Sequence, residues 1–154
     1  MIGMSAATPK IILSLWALAL PFSGFTQELA KYQWENRLIL LFAPTPTDTN
    51  YQIQMDSFHK NEQGMNDRKL IVLSVFPDSI TSTDDKAWTY KDVRNLRTQY
   101  LPKGRESAFL LIGLDGGIKW RTDLPASTEE LFSRIDVMPM RRREIENSDD
   151  NGGH

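Results

Sequence analysis

The chain has 154 residues, 40% of them hydrophobic and 25% charged, with a net charge of −2 and no cysteine. That length suits one domain with tails, and the near-neutral charge gives no global attraction to nucleic acid or acidic membranes. Without cysteine the chain has no disulfide framework, thiolate metal site, thiol catalysis or lipoprotein acceptor.

The first 26 residues read as a targeting segment. Lys10 supplies a positive charge, residues 11–20 (IILSLWALAL) are uncharged and apolar, and Gly24 and Thr26 are small residues ahead of a cut at Gln27. This is the signal-peptide pattern. A retained anchor fits less well, because a spanning helix needs about 20 apolar residues and this run meets Pro21 first. The expectation is export to the periplasm or outside the cell, with no stable membrane span after processing.

Residues 28–34 form a short helix or an irregular lead-in. Arg37–Phe42 is then almost wholly apolar, as expected of a strand buried on both faces. Residues 45–50 form a turn-rich loop. Tyr51, Met55, Phe58 and Glu62 recur at helical spacing, with Thr47 or Asp48 as N-cap and Gly64 as the stop. Residues 69–76 (KLIVLSVF) are the second buried strand, followed by a polar loop over 77–85. Val93, Leu96 and Tyr100 mark a second helix starting near Asp85 or Thr89 and ending before Pro102.

Residues 108–113 and 118–121 read as a hairpin around Asp115-Gly116, where both residues tolerate positive φ. Ser127 and Glu130 have capping-box spacing ahead of Leu131, Phe132 and Ile135, and Pro139 stops that helix. Residues 145–154 are acidic and rich in Gly and Asn, the composition of a disordered tail. The order β-α-β-α-β-β-α predicts an α/β, thioredoxin-like domain over residues 27–144, with a four-stranded mixed sheet flanked by helices.

Three blocks carry a family resemblance. The first is Arg37 with residues 40–44, Asp48 and Tyr51. The second is Phe109, residues 111–113, residues 115–117, Lys119 and Arg121. The third is Ser127, residues 130–132, Ile135, Asp136, residues 138–141, Arg143 and Glu144. Over residues 34–144 the chain resembles the family of domains of unknown function 4174. That family of small exported or extracellular domains also occurs at the end of Equarin and of sushi-repeat-containing matrix proteins. The resemblance implies a thioredoxin- or peroxiredoxin-like fold without an established activity.

Thioredoxin-like proteins place their chemistry in the loop after the first strand. Here it offers Thr45, Thr47 and Asp48, followed by Tyr51. A threonine hydroxyl has no accessible anion at neutral pH, and no histidine stands nearby in sequence to act as its base. The cis-proline that such proteins keep before the third strand is also missing, since residues 105–108 read Arg-Glu-Ser-Ala. The adjacent acids at 84–85, 129–130 and 149–150 lack the convergence that acid–base catalysis needs. The glycines at 113, 116 and 117 are spaced for a turn rather than a phosphate loop. His59 and His154 cannot form a metal centre by themselves. Arg141-Arg142-Arg143 reads as a basic cluster balanced by Asp136, Glu144 or Glu146, and Trp88 and Trp120 as packing residues.

These readings predict no catalytic residue, cofactor or metal, and no thiol-dependent oxidoreductase activity. The expected role is binding a protein or cell-envelope component, with no nucleic-acid partner. The candidate rim is Thr45, Thr47, Asp48 and Tyr51 with Arg105 from the loop before the third strand. The alternative is an enzyme or redox-accessory protein related to peroxiredoxins, working through a cysteine-free residual site at the same loop.

Overall fold

The computed structural model describes residues 27–151; the expected signal segment, residues 1–26, lies outside them. A 3-10 turn at Ala30–Tyr32 leads into β1 (Arg37–Phe42). Helices α1 (Thr49–Lys60) and α2 (Glu62–Asp67) follow, then β2 (Leu70–Val75), β3 (Ile80–Ser82) and α3 (Tyr90–Tyr100). The chain continues through β4 (Ala108–Ile112), β5 (Ile118–Thr122), α4 (Thr128–Asp136) and α5 (Pro139–Asn151).

The sheet order is β3-β2-β1-β4-β5. β1 and β2 are parallel, as the helical crossover between them requires, and the other pairs are antiparallel. The four strands expected from the sequence are contiguous here. The fifth, β3, replaces part of the expected polar loop. It is only three residues long, too short to show an alternating pattern, and is held by backbone pairing to β2 and by a tight turn in which Phe76 N–H donates to Ser79 O at 2.8 Å.

Every residue of β1 is buried, and successive side chains enter two different cores. Ile39 and Leu41 join Phe58, Met65, Phe109, Leu111, Leu131 and Ile135, contributed by α1, α2, β4 and α4. Leu38, Leu40 and Phe42 join Leu73, Leu110, Val93, Leu96 and Tyr100, so α3 closes the opposite face. The lead-in adds Leu29 and Tyr32 to this second core.

The caps follow local chemistry. Asp48 is the N-cap of α1, its Oδ1 accepting from Tyr51 N–H at 2.9 Å. Thr89 caps α3 in a complete capping box with Asp92. Ser127 caps α4, accepting from Glu130 N–H at 3.2 Å. The Glu130 carboxylate pairs with Arg134 at 2.6 Å.

Three boundaries differ from the sequence expectation. The first helix breaks at Asn61, and Gly64 lies inside α2 instead of stopping a helix. A Cβ at Gly64 would sit 2.6 Å from Phe132 Cε2, so glycine there permits close approach of α2 and α4. Pro139 opens α5, because a first-turn position loses nothing by lacking an N–H. Consequently residues 145–151 continue a helix where a disordered tail is expected. In the β4–β5 connection only Gly116 is left-handed, at φ 83°. Gly113 N–H donates to Gly117 O at 2.9 Å across a three-residue loop.

Candidate functional site

The register Phe42↔Ala108 sends the β1–α1 loop and the loop before β4 from the same end of the sheet. All five candidate rim residues therefore lie toward that end, but their side chains are already engaged. Thr45 and Thr47 are exposed and share one hydrogen bond, Oγ1 to Oγ1 at 3.1 Å. Asp48 is committed to its cap. Tyr51 donates its hydroxyl to buried Ser74 Oγ at 3.0 Å and packs edge-on against Phe76.

Arg105 faces a different partner. Its Nη1 lies 2.7 Å from Asp123 Oδ1, and both side chains are more than half exposed; such a surface pair is worth at most about 1 kcal/mol. A cavity of about 300 Å³ lies beside it, lined by Pro102, Arg105, Ser107, Arg121 and Asp123 among others. None of the β1–α1 loop residues lines that cavity. The structure thus brings Thr45, Thr47, Asp48 and Tyr51 together and joins Arg105 to Asp123, just past β5, instead.

The opposite, amino end of the sheet holds a denser arrangement. Arg37 begins β1 and is 1% exposed. Its Nη1 donates to Arg68 O at 3.0 Å and to Glu144 Oε2 at 3.1 Å. Arg68 pairs with Asp136 through Nε at 3.0 Å and Nη2 at 2.6 Å, and its guanidinium lies over the Phe132 ring. Arg141, also buried, reaches Asp67, Asp136 and Glu144. Burial opposes its charge, but Asp67 above all, with Glu144 and Asp136, holds its pKa above the ordinary arginine value. Lys69 adds a longer contact to Glu144, 3.8 Å.

Beside this network lies a cavity of about 370 Å³, lined by Arg37, Gly113, Leu114, Met138, Pro139 and Met140, with Asp115 and Lys119. Asp115 accepts from Gly117 N–H at 3.0 Å and from Lys119 Nζ at 2.6 Å. Partial burial works against its ionisation, yet the Lys119 and Gly117 bonds hold its carboxyl below the usual carboxylate range.

The sequence reading treats Arg141 as one of three balanced surface arginines and does not isolate this site. A signal was present: Arg37 is a charged residue at the head of an otherwise apolar strand buried on both faces. Its ion-pair partner Glu144 is 107 residues away, which no local spacing exposes. Blocks that carry the family resemblance meet here, through Arg37, the Gly113–Lys119 hairpin and the residues from Met138 to Glu144.

The model of the family described as Domain of unknown function (DUF4174) matches residues 28–144. The chain belongs to the DUF4174 family. The DUF4174 domain is also similar in structure to the reduced 2-Cys peroxiredoxin of Plasmodium vivax, with a TM-score of 0.56 at 15% identity, covering 75% of this chain and 84% of that one. At that identity the likeness is one of fold. The DUF4174 chain carries no cysteine at all. Its cis peptide Leu124–Pro125 follows β5 rather than preceding β4. Among the described residues no group of three or more His, Cys, Asp or Glu is placed to hold a metal ion, and no helix is long and apolar enough to cross a membrane. His59 is exposed on α1. Trp120 packs on Phe109 at 5.2 Å and Trp88 stacks on Tyr32 at 6.5 Å.

Proposed function

We propose that this DUF4174 domain is an exported, non-catalytic binding domain that engages a protein or a cell-envelope component. The observation that supports it best is the state of the β1–α1 loop. Each polar side chain there already serves the fold: Thr45 on Thr47, Asp48 on the helix cap, Tyr51 on Ser74. A nucleophile needs a neighbouring base and a free trajectory, and this loop supplies neither. The exposed hydroxyls of Thr45 and Thr47 at this sheet end suit recognition, where polar rims are the norm.

The deciding experiment crosslinks the processed protein in its native compartment. Partner recovery is compared between wild type and a Thr45→Arg, Arg105→Glu double variant first checked for unchanged folding. Loss of a recovered partner supports the rim; equal yield of the same partners rules this face out. Two side measurements bear on the rest of the reading. Intact mass should show cleavage between Thr26 and Gln27, whereas full-length protein retained in membranes would refute export with processing. Insulin reduction and thiol-dependent peroxide consumption should stay at buffer rates; turnover that persists through purification would favour the redox-accessory alternative.

A further inference from the structure

We infer that the amino end of the sheet is a binding site for a small monocarboxylate with an apolar body, its carboxyl group seated on the free edge of Arg37. This site lies at the other end of the sheet from the proposed rim and stands independently of it.

The geometry of the guanidinium comes first. Arg37 is buried, and its Nη1 is satisfied by Arg68 O and Glu144. Its Nε and Nη2 have no hydrogen-bond partner among the described residues. A buried N–H without an acceptor is costly, and native structures leave few of them. These two nitrogens form the side-on fork of a guanidinium, which matches the two oxygens of a planar carboxylate. Arg68 shows the occupied form of the same edge, with its Nε and Nη2 on the two oxygens of Asp136.

The charge balance agrees. In this network Arg37, Arg68, Lys69 and Arg141 share the carboxylates of Asp67, Asp136 and Glu144. Asp115 and Lys119 pair with each other. Counting half-exposed Lys69, the network holds four cations to three carboxylates and so tolerates one more anion, and the unfilled fork belongs to its most buried cation. The cavity states the rest of the chemistry. At about 370 Å³ it has the dimensions of a small-molecule site, and Leu114, Met138, Pro139 and Met140 make its walls chiefly apolar. Such walls disfavour a hydrated inorganic anion and favour a hydrocarbon body. Because Arg37 is buried, a wall side chain must swing aside for the carboxylate to reach the fork. Met138 and Met140 are unbranched and adaptable, and Met140 is 37% exposed.

Octanoate is the probe, with octanamide as its uncharged isostere and inorganic phosphate as the anion without a body. Backbone amide shifts are followed by NMR in wild type, Arg37→Lys and Met140→Trp. Octanoate should give saturable shifts at residues 113–119, 138 and 140, with octanamide about tenfold weaker. Arg37→Lys keeps a cation beside Glu144 but loses the fork, so it should lose the preference for octanoate over octanamide. Met140→Trp leaves Arg37 intact and narrows the cavity, so octanoate affinity should fall even if Arg37→Lys fails to fold. Four results would overturn the assignment: no saturable shift with octanoate, equal binding of octanamide, phosphate binding as tight as octanoate, or octanoate affinity unchanged in Met140→Trp.

Discussion

The contact between Tyr32 and Asp84 makes a sharp prediction about acid stability. Tyr32, in the lead-in turn, donates its hydroxyl to Asp84 Oδ2 at 2.9 Å across 52 residues of chain. Asp84 also accepts from Ser82 Oγ at 2.6 Å and pairs with Lys86 at 3.1 Å. Burial works against ionisation of Asp84, but hydrogen bonds from Ser82, Tyr32 and Lys86 outweigh it and bring its pKa from 3.8 down to about 2. Burial, reinforced by the Asp84 charge, raises the Tyr32 pKa above its ordinary value. A depressed carboxylate pKa contributes stability that is present above the unfolded value and lost as pH falls toward the folded one. At ~1.36 kcal/mol per pKa unit the ceiling is about 2.4 kcal/mol, and solvent screening of a partly exposed group reduces the expectation to about 1–2 kcal/mol. Asp84→Asn removes the titrating group, so the stability gap between wild type and variant should narrow by about 1–2 kcal/mol between roughly pH 5 and pH 2. Urea midpoints followed by far-ultraviolet circular dichroism measure it, and subtracting the variant cancels the other carboxylates. A gap that stays constant over this range would refute the reasoning.

Further substitutions test a helix cap and the packing. Ser127→Ala should cost about 1 kcal/mol by chemical denaturation, since the Glu130 N–H loses its acceptor; unchanged midpoints would show that the cap contributes nothing. Gly64→Ala should destabilise by about 1–2 kcal/mol, although alanine is the better helix former, because its Cβ meets the Phe132 ring. Adding Phe132→Leu should recover part of that loss, and additivity of the two changes would argue against the contact. Leu110→Ala, at a fully buried position on the central part of the sheet, should cost about 2–5 kcal/mol, read as a fall in urea midpoint at constant slope.

Continuous apolar runs made β1, β2 and β4 legible, because strands buried on both faces leave that pattern. Short polar signals marked the cap at Ser127 and narrowed the other two helix starts to Thr47 or Asp48 and to Asp85 or Thr89, of which Asp48 and Thr89 are the caps. What stayed hidden depended on distant partners. β3 exists by pairing with β2, and three residues carry no periodicity of their own. Gly64 serves a ring 68 positions later instead of a helix end. Helix α5 has no apolar stripe to betray it, and its first turns are held by buried ion pairs of Arg141 and Glu144. The rim was local enough to read from Thr45 to Tyr51, but Arg105 turned to Asp123, a partner on no shared period.

Both borders of the sheet are unattractive to another strand. On one side β3 offers only three residues of backbone. On the other, β5 alternates Lys119 and Arg121 along an exposed edge, and the β4–β5 register is interrupted between Leu111 and Ile112. Short length, edge charge and irregular register are the features that prevent open strands from recruiting further chains. Addition of a further strand to the hydrogen-bonded ladder is therefore disfavoured at both edges, and concentrated protein should resist fibril growth through the folded state.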